Sequence, residues 1–419
     1  MSRVTMSQAT LLRFATAGAV DDGKSTLIGR LLHDSKSLLA DQLEAVRLAS
    51  EERGDEHLDL AMLTDGLRAE REQGITIDVA HRYFETGRRA FIIADTPGHA
   101  QYTRNMVTGA STADLAIVLA DARNGLTEQS HRHAVLAGLL RVPHVVLAVN
   151  KMDLVDYDRA VFDRIAEDFA ARAAGIGLAE VTAIPISALH GDNVVDRSAA
   201  TPWYEGPALL EHLESVPARD DADGALRFPV QYLIRTDGFE GCAGQLAAGS
   251  VSAGEQVRHL PSGRITTVAA VETPDGPADR VAAPLSITLV PGDDLPVRRG
   301  DLFCAVGSEP VRAAEIEATV CWMDARKALR PNARLLLKHT TRTVGATVTE
   351  LHHRLDVMTL RSEPAAELAL NDIGGIALRL DEPVFCDPYE HNRLTGGGVL
   401  VDESTNATVA AVMIDRARG

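Results

Sequence analysis

The chain has 419 residues, which at roughly 150 residues per domain predicts two or three domains. Hydrophobic residues make up 45% of it, enough for several cores, and no run reaches the roughly 18–20 apolar residues of a membrane helix. The net charge of -17 argues against broad, sequence-independent nucleic-acid binding.

Residues 1–8 are polar and 11–20 are broken by Arg13, unlike a secretory signal. Residues 14–17 then read as a strand. They lead into Gly18-Ala19-Val20-Asp21-Asp22-Gly23-Lys24-Ser25, which fits G-x-x-x-x-G-K-[ST]. Such glycines let the backbone curl until successive N–H groups point at phosphate oxygens. The helix that follows, 24–33, carries Thr26 in its first turn beside the loop and adds partial positive charge at its N-terminus. Lys24 would reach the β- and γ-phosphates, and Ser25 would hold Mg2+.

Residues 34–73 are charged and mostly helical in pattern. This insertion precedes Gln73-Gly74-Ile75-Thr76-Ile77, so it lies between two candidate magnesium ligands, Ser25 and Thr76. That position favours a switch region. Residues 91–94 are the next strand, and Asp95-Thr96-Pro97-Gly98-His99 follows it. Asp95 is placed to hold magnesium directly or through water. Gly98 can turn its N–H toward a γ-phosphate and release it afterwards. His99 is the candidate that positions the attacking water. No arginine finger can be named.

Residues 115–120 and 144–149 are further buried-type strands. Between them, His131 and His133 lie on a helical pattern and are expected on a solvated surface. Asn150-Lys151-Met152-Asp153 ends the second of these strands. Asp153 can accept from N1–H and the 2-amino group of guanine, a donor pair that adenine lacks. Asn150 would brace the loop, and Lys151 would lie along the purine. A helix over 158–174 and a strand over 183–186 follow. Ser187-Ala188-Leu189 closes the base pocket, with the Ala188 N–H aimed at guanine O6. Strands alternating with helices imply a parallel sheet.

Residues 216–226 read as a linker after a 10–215 nucleotide domain. The rest is β-like, with strands at 228–234 and 265–271 and a turn at 249–254. These suggest one small barrel over 227–310 and another over 311–419, the latter including 340–352 and 398–414. Cys242, Cys304, Cys321 and Cys386 form no C-x-x-C pair, so buried thiols in a reducing cytoplasm are expected.

The five motifs together resemble the translational GTPase superfamily, whose members carry a GTP-binding domain followed by two β-barrels. The closer resemblance is to the large, GTP-hydrolysing subunit of bacterial sulfate adenylyltransferase. It is carried by GAVDDGKSTLIGRLL at 18–32, DGLRAEREQGITIDVA at 65–80, IADTPGHAQYTRNMVTGASTADLAIVLAD at 93–121 and NKMDLVD at 150–156. KHTTRTVGATVTELHHRLD at 338–356 and residues 392–414 extend it into the last barrel. In the elongation factor Tu family a histidine usually precedes the second P-loop glycine and a threonine follows the lysine. Here those residues are Asp22 and Ser25. Residues 235–241 depart from the wording expected in the first barrel.

The resemblance implies GTP and Mg2+ as ligands, a cytoplasmic location and a heteromeric enzyme without nucleic-acid or membrane partners. A small catalytic subunit would transfer adenylyl from ATP to sulfate, and GTP hydrolysis on this chain would drive that step. An elongation-factor-like translational GTPase and a non-hydrolysing scaffold remain alternatives. Copurification with a small ATP-binding subunit separates the first reading from the second.

Overall fold

In the computed structural model the chain forms two compact units, Met1–Arg219 with Val357–Leu360 and Asp220–Asp356 with Arg361–Gly419. The structure describes residues 11–36, 44, 46, 47, 60, 79–99, 103–178, 180–219, 222–236 and 239–419. Most of the 34–73 insertion, Thr76 with its flanking residues, and Asp237 and Gly238 lie outside the described residues.

The first unit is built from β1 (Leu11–Ala17), α1 (Lys24–Asp34), β2 (Ala80–Glu85), β3 (Ala90–Asp95), α2 (Thr103–Ser111) and β4 (Leu115–Asp121). It continues with α3 (Glu128–Leu139), β5 (His144–Asn150), α4 (Arg159–Ala173), β6 (Glu180–Pro185) and α5 (Leu209–Ser215). The six strands form one sheet in the order β2-β3-β1-β4-β5-β6. Five run parallel, as strand–helix alternation predicts. The edge strand β2 is antiparallel to β3. The connection between them is too short for a crossover helix, and the Thr86 N–H closes it on the Arg89 carbonyl at 2.9 Å.

Every residue of β4 is buried, matching its continuous apolar run at the sheet centre. On α1, Leu27, Ile28, Leu31 and Leu32 fall at helical spacing and pack into the core with Leu12, Phe14, Phe91 and Ile93. Phe84 and Phe91 stack at 4.6 Å, and Phe14 meets each edge-on at 6.4 Å. Burying each such side chain stabilises the fold by roughly 1.5–3 kcal/mol. At α5, the buried Arg89 donates to the carbonyls of Leu213 and Val216 and so satisfies helix-end acceptors. The core thus fixes the strands whose carboxyl ends lie side by side, the usual ligand edge of such sheets.

The second unit is all β. Its first part holds an eight-stranded antiparallel sheet and a two-stranded ribbon. The strand expected at 228–234 is two strands, Arg227–Pro229 and Tyr232–Thr236. Pro229 has no N–H for a ladder, and the Val230 N–H bonds the Asp301 carbonyl at 2.9 Å. In the second part, Val311–Trp322, Arg334–His339, Arg342–Leu355, Ile373–Cys386, Gly397–Val401 and Thr408–Arg418 close into an antiparallel ring. The ring closes where Arg334–His339 pairs with Arg342–Leu355.

Within 340–352 the strand starts at Arg342, because Thr340 takes a left-handed φ of 48° in the hairpin turn. The stretch 398–414 is two strands, turned by Asp402, which accepts the N–H groups of Ser404 and Thr405 at 3.0 and 2.9 Å. Arg227 in the first part donates twice to Asp387 in the second, at 2.8 and 2.9 Å. Among the described residues no disulfide links the four cysteines, all of which are buried.

Candidate nucleotide-binding site

The loop after β1 curls through Asp21 at φ 64° and Gly23 at φ 92°. Gly23 is required twice over. Its φ disfavours L side chains, and a Cβ there would lie 2.4 Å from Asn150 Nδ2. Gly23 also caps α1 without a side-chain bond, which leaves the first-turn amides to a ligand. Asp22 is buried, and its Oδ2 accepts the Ala19 N–H at 2.5 Å, tying the loop across itself. Burial raises its pKa above the usual carboxylate value. Lys24 is also buried and donates to the carbonyls of Gly18 and Ala19 at 3.1 and 2.8 Å. Burial lowers its pKa, opposed by the Asp95 and Asp22 charges. The lysine is therefore poised at the mouth of the loop, next to its own turn. Val20 stands exposed at the tip.

Asp95 ends β3 directly beside Thr16 of β1, whose hydroxyl donates to Oδ1 at 3.2 Å. Gly98 lies against the P-loop, where a Cβ would sit 2.5 Å from Lys24 Nζ and 2.9 Å from the Ala19 carbonyl carbon. The D-x-x-G turn thereby closes on Lys24. His99 follows, half-buried. No partner for the Ser25 hydroxyl occurs among the described residues, and Asp95 supplies a second hard oxygen. An unengaged hydroxyl and a carboxylate fit Mg2+, which favours oxygen ligands and keeps several waters and phosphate oxygens.

Asn150, at the end of β5, bridges both nucleotide loops. Its Nδ2 donates to the Asp22 carbonyl at 2.8 Å, and its Oδ1 accepts the Ala188 N–H at 2.9 Å. This gives the bracing role expected of Asn150. It differs from the expectation for Ala188, whose N–H is engaged with Asn150 and is not presented to a base. Ser187 and Ala188 are buried, and Leu189 is exposed. Arg30 of α1 holds this loop by donating to the carbonyls of Ala188 and Leu189. Lys151 adopts φ 62°, and its Nζ donates to the Asp21 carbonyl. Met152, fully buried, bonds the Ile186 carbonyl and seats the short helical turn that carries Asp153. Asp153 is mostly shielded, with His190 Nε2 3.9 Å from its Oδ2.

His131 and His133 are not on a solvated surface. Both are buried, and His133 Nδ1 accepts the Gly18 N–H at 2.9 Å while its Nε2 meets the Gln129 amide. The expectation rested on the two side chains lying on different helix faces, which weighed against a metal site, whereas α3 is buried from Ser130 through Gly138 except at Arg132. The charge-poor run after Arg132 carried that signal. Asp121 and Arg123 were also missed. Asp121 ends β4 as Asp95 ends β3, and that parallel was the available sign.

Burial, helped by the Lys24 and Arg132 charges, pushes the His133 imidazole down to about 3 from an ordinary 6.5. Between those values the unfolded chain takes up a proton that the folded chain refuses. Stability from this group is therefore present above the unfolded value and is lost as pH falls below it, by about 1.4 kcal/mol per pH unit. Denaturant titrations at pH 6.5 and 5 should show wild type losing about 2 kcal/mol more than His133→Gln. Equal losses would contradict the buried neutral imidazole.

A glycine loop at a helix start, a buried lysine, Asp95 and Asn150 at the ends of β3 and β5, and Asp153 in the turn after β5 define a P-loop GTP-binding protein. Residues 9–219 match the elongation factor Tu GTP binding domain family, and 315–415 match the GTP-eEF1A C-terminal domain-like family. The chain is 53% identical over 414 residues to the bifunctional enzyme CysN/CysC of Mycobacterium tuberculosis (strain ATCC 25618 / H37Rv), covering 97% of this chain and 67% of that one. It is 47% identical to sulfate adenylyltransferase subunit 1 of Alteromonas mediterranea, covering 96% and 86%. It is 49% identical to the bifunctional enzyme NodQ of Rhizobium sp. (strain BR816), covering 97% and 65%. The chain thus spans about two thirds of the length of the bifunctional relatives. It belongs to the sulfate adenylyltransferase subunit 1 family of GTPases, with a GTP-binding domain of the elongation factor Tu type.

Proposed function

We propose that the chain hydrolyses GTP at the ends of β1, β3 and β5 and couples that hydrolysis to sulfate activation by a partner subunit. The observation that carries the site is the Asn150 bridge, which joins the phosphate loop to the Ser187–Leu189 loop and so ties phosphate and base recognition together. Lys24 and the α1 amides would bind the phosphates, including those at Ser25 and Thr26. Ser25, Asp95 and Thr76 would hold Mg2+, which neutralises phosphate charge when bound. Asp153 would accept from the guanine N1–H and 2-amino group, and the Lys151 stem would lie along the purine. Gly98 would donate to the γ-phosphate. His99 would orient a water in line with it. That water would attack the γ-phosphorus as the bond to the β–γ bridging oxygen breaks, its proton would pass to the departing phosphate, and GDP and phosphate would leave.

The role in sulfate activation rests on the relatives named sulfate adenylyltransferase subunit 1. The partner is a small catalytic subunit that joins ATP and sulfate into adenosine 5′-phosphosulfate and pyrophosphate. Forming that mixed anhydride is uphill, and GTP hydrolysis would drive it. The complex would work in the cytoplasm; among the described residues no helix is long and apolar enough to cross a membrane. The test is pyrophosphate release from ATP and sulfate by the copurified complex, with and without GTP. Stimulation by GTP supports the coupling. Copurification with tRNA and no such stimulation would favour a translational role.

A further inference from the structure

Asp121 belongs to none of the nucleotide motifs, yet it sits at their junction. It ends β4, and its Cα partner across the sheet is Asn150. Its carboxylate is almost fully buried, so its charge needs partners. Oδ1 accepts the Arg123 N–H and Nε at 3.0 Å, and Oδ2 accepts Arg123 Nη2 at 2.7 Å. The same Oδ2 lies 2.9 Å from Lys151 Nζ. Lys151 Nζ also donates to the Asp21 carbonyl in the P-loop. The ammonium is therefore held at two points, one on β4 and one on the phosphate loop. Its methylene stem is fixed between them. A free lysine stem samples many rotamers, and ordering it on ligand binding costs entropy. Arg123 grips the carboxylate edge-on, which turns Oδ2 toward the lysine.

We propose that Asp121 is a positioning residue for the guanine base, acting through Lys151. It holds the lysine stem as a preformed ledge along which the purine lies. The inference deepens the proposed function and rests on Lys151 lying along the base. A purely local role would use only the turn after β4, which Asp121 closes by accepting the Arg123 N–H. Asp121→Asn separates the two roles. An amide oxygen can still close the turn, but the amide nitrogen then faces Lys151 Nζ and repels it.

The test is titration of the full chain with GTP and with inorganic tripolyphosphate, both read by displacement of a fluorescent GTP analogue. Asp121→Asn should weaken GTP on the order of tenfold, the scale of a lost hydrogen bond to a charged group. Tripolyphosphate, which has no base, should stay within about twofold of wild type. KM for GTP should rise while turnover at saturating GTP holds. In a Lys151→Met background, Asp121→Asn should change GTP affinity by less than about twofold, because its route is already cut. An unchanged GTP affinity would overturn the proposal. So would parallel weakening of tripolyphosphate, or a full effect in the Lys151→Met background. Wild type that binds ATP as tightly as GTP would instead overturn the base-site reading on which the proposal stands.

Discussion

Lys24→Ala is expected to weaken GTP binding by at least about a hundredfold, the scale of losing two charge-assisted hydrogen bonds to phosphate. The lysine is buried against its own loop, donating to the Gly18 and Ala19 carbonyls. Its ammonium is thus fixed before any ligand arrives, and little ordering entropy is lost on binding. The same geometry modifies the view of Lys24 as a phosphate contact alone. Removing it also frees two P-loop carbonyls and takes away a cation beside Asp22 and Asp95. Some loosening of the loop should accompany the loss. The sheet core lies beneath the loop and shares none of these contacts, so far-UV circular dichroism should be unchanged. Wild-type GTP affinity in an equilibrium titration of this variant would show that the phosphates bind elsewhere.

The second large effect is a change of base. Asp153→Asn should cut GTP affinity by about a hundredfold or more and raise affinity for xanthosine triphosphate, whose 2-oxo group accepts from the new amide. The loop that carries Asp153 is seated by the buried Met152 and its bond to the Ile186 carbonyl. The substitution should therefore alter chemistry at a fixed position and leave the loop in place. His190 stands 3.9 Å from the Asp153 carboxylate, and its contact weakens when the charge is removed. Competition of GTP and xanthosine triphosphate for the same preparation reads the outcome. An unchanged preference for GTP would mean that another group recognises the guanine edge.

Much of the first unit was legible because its strands are buried on both faces and read as apolar runs, as in residues 115–121. The P-loop and Asn150 were legible because their backbone and amide roles depend on residue type at fixed spacing. The antiparallel edge strand β2 was not, since in Ala80–Glu85 only Phe84 is buried and the other residues are half-buried or exposed, which leaves no apolar run. His133 was missed for a different reason. An imidazole on a helix reads as polar, but α3 is buried on nearly all sides, and only the fold brings His133 beneath Gly18. Asp121 escaped because its partner Lys151 is remote in sequence and meets it only where β4 and β5 end together. In the second unit, alternation announced strands but not where they break. Pro229 and the left-handed Thr340 decided that locally.

His99 offers the sharpest handle on the coupling of GTP hydrolysis to sulfate activation. In the proposed site His99 touches the attacking water and not the phosphates, so His99→Ala should slow GTP turnover far more than it weakens GTP binding. GTP affinity, GTP turnover and adenosine 5′-phosphosulfate yield should be measured on one preparation of the variant with its partner subunit. The expected result is near-normal GTP affinity, GTP turnover lowered by about 10²-fold or more, and a phosphosulfate yield no higher with GTP than without. Full GTP-stimulated yield alongside lost GTP turnover would contradict hydrolytic coupling and leave GTP as an allosteric ligand.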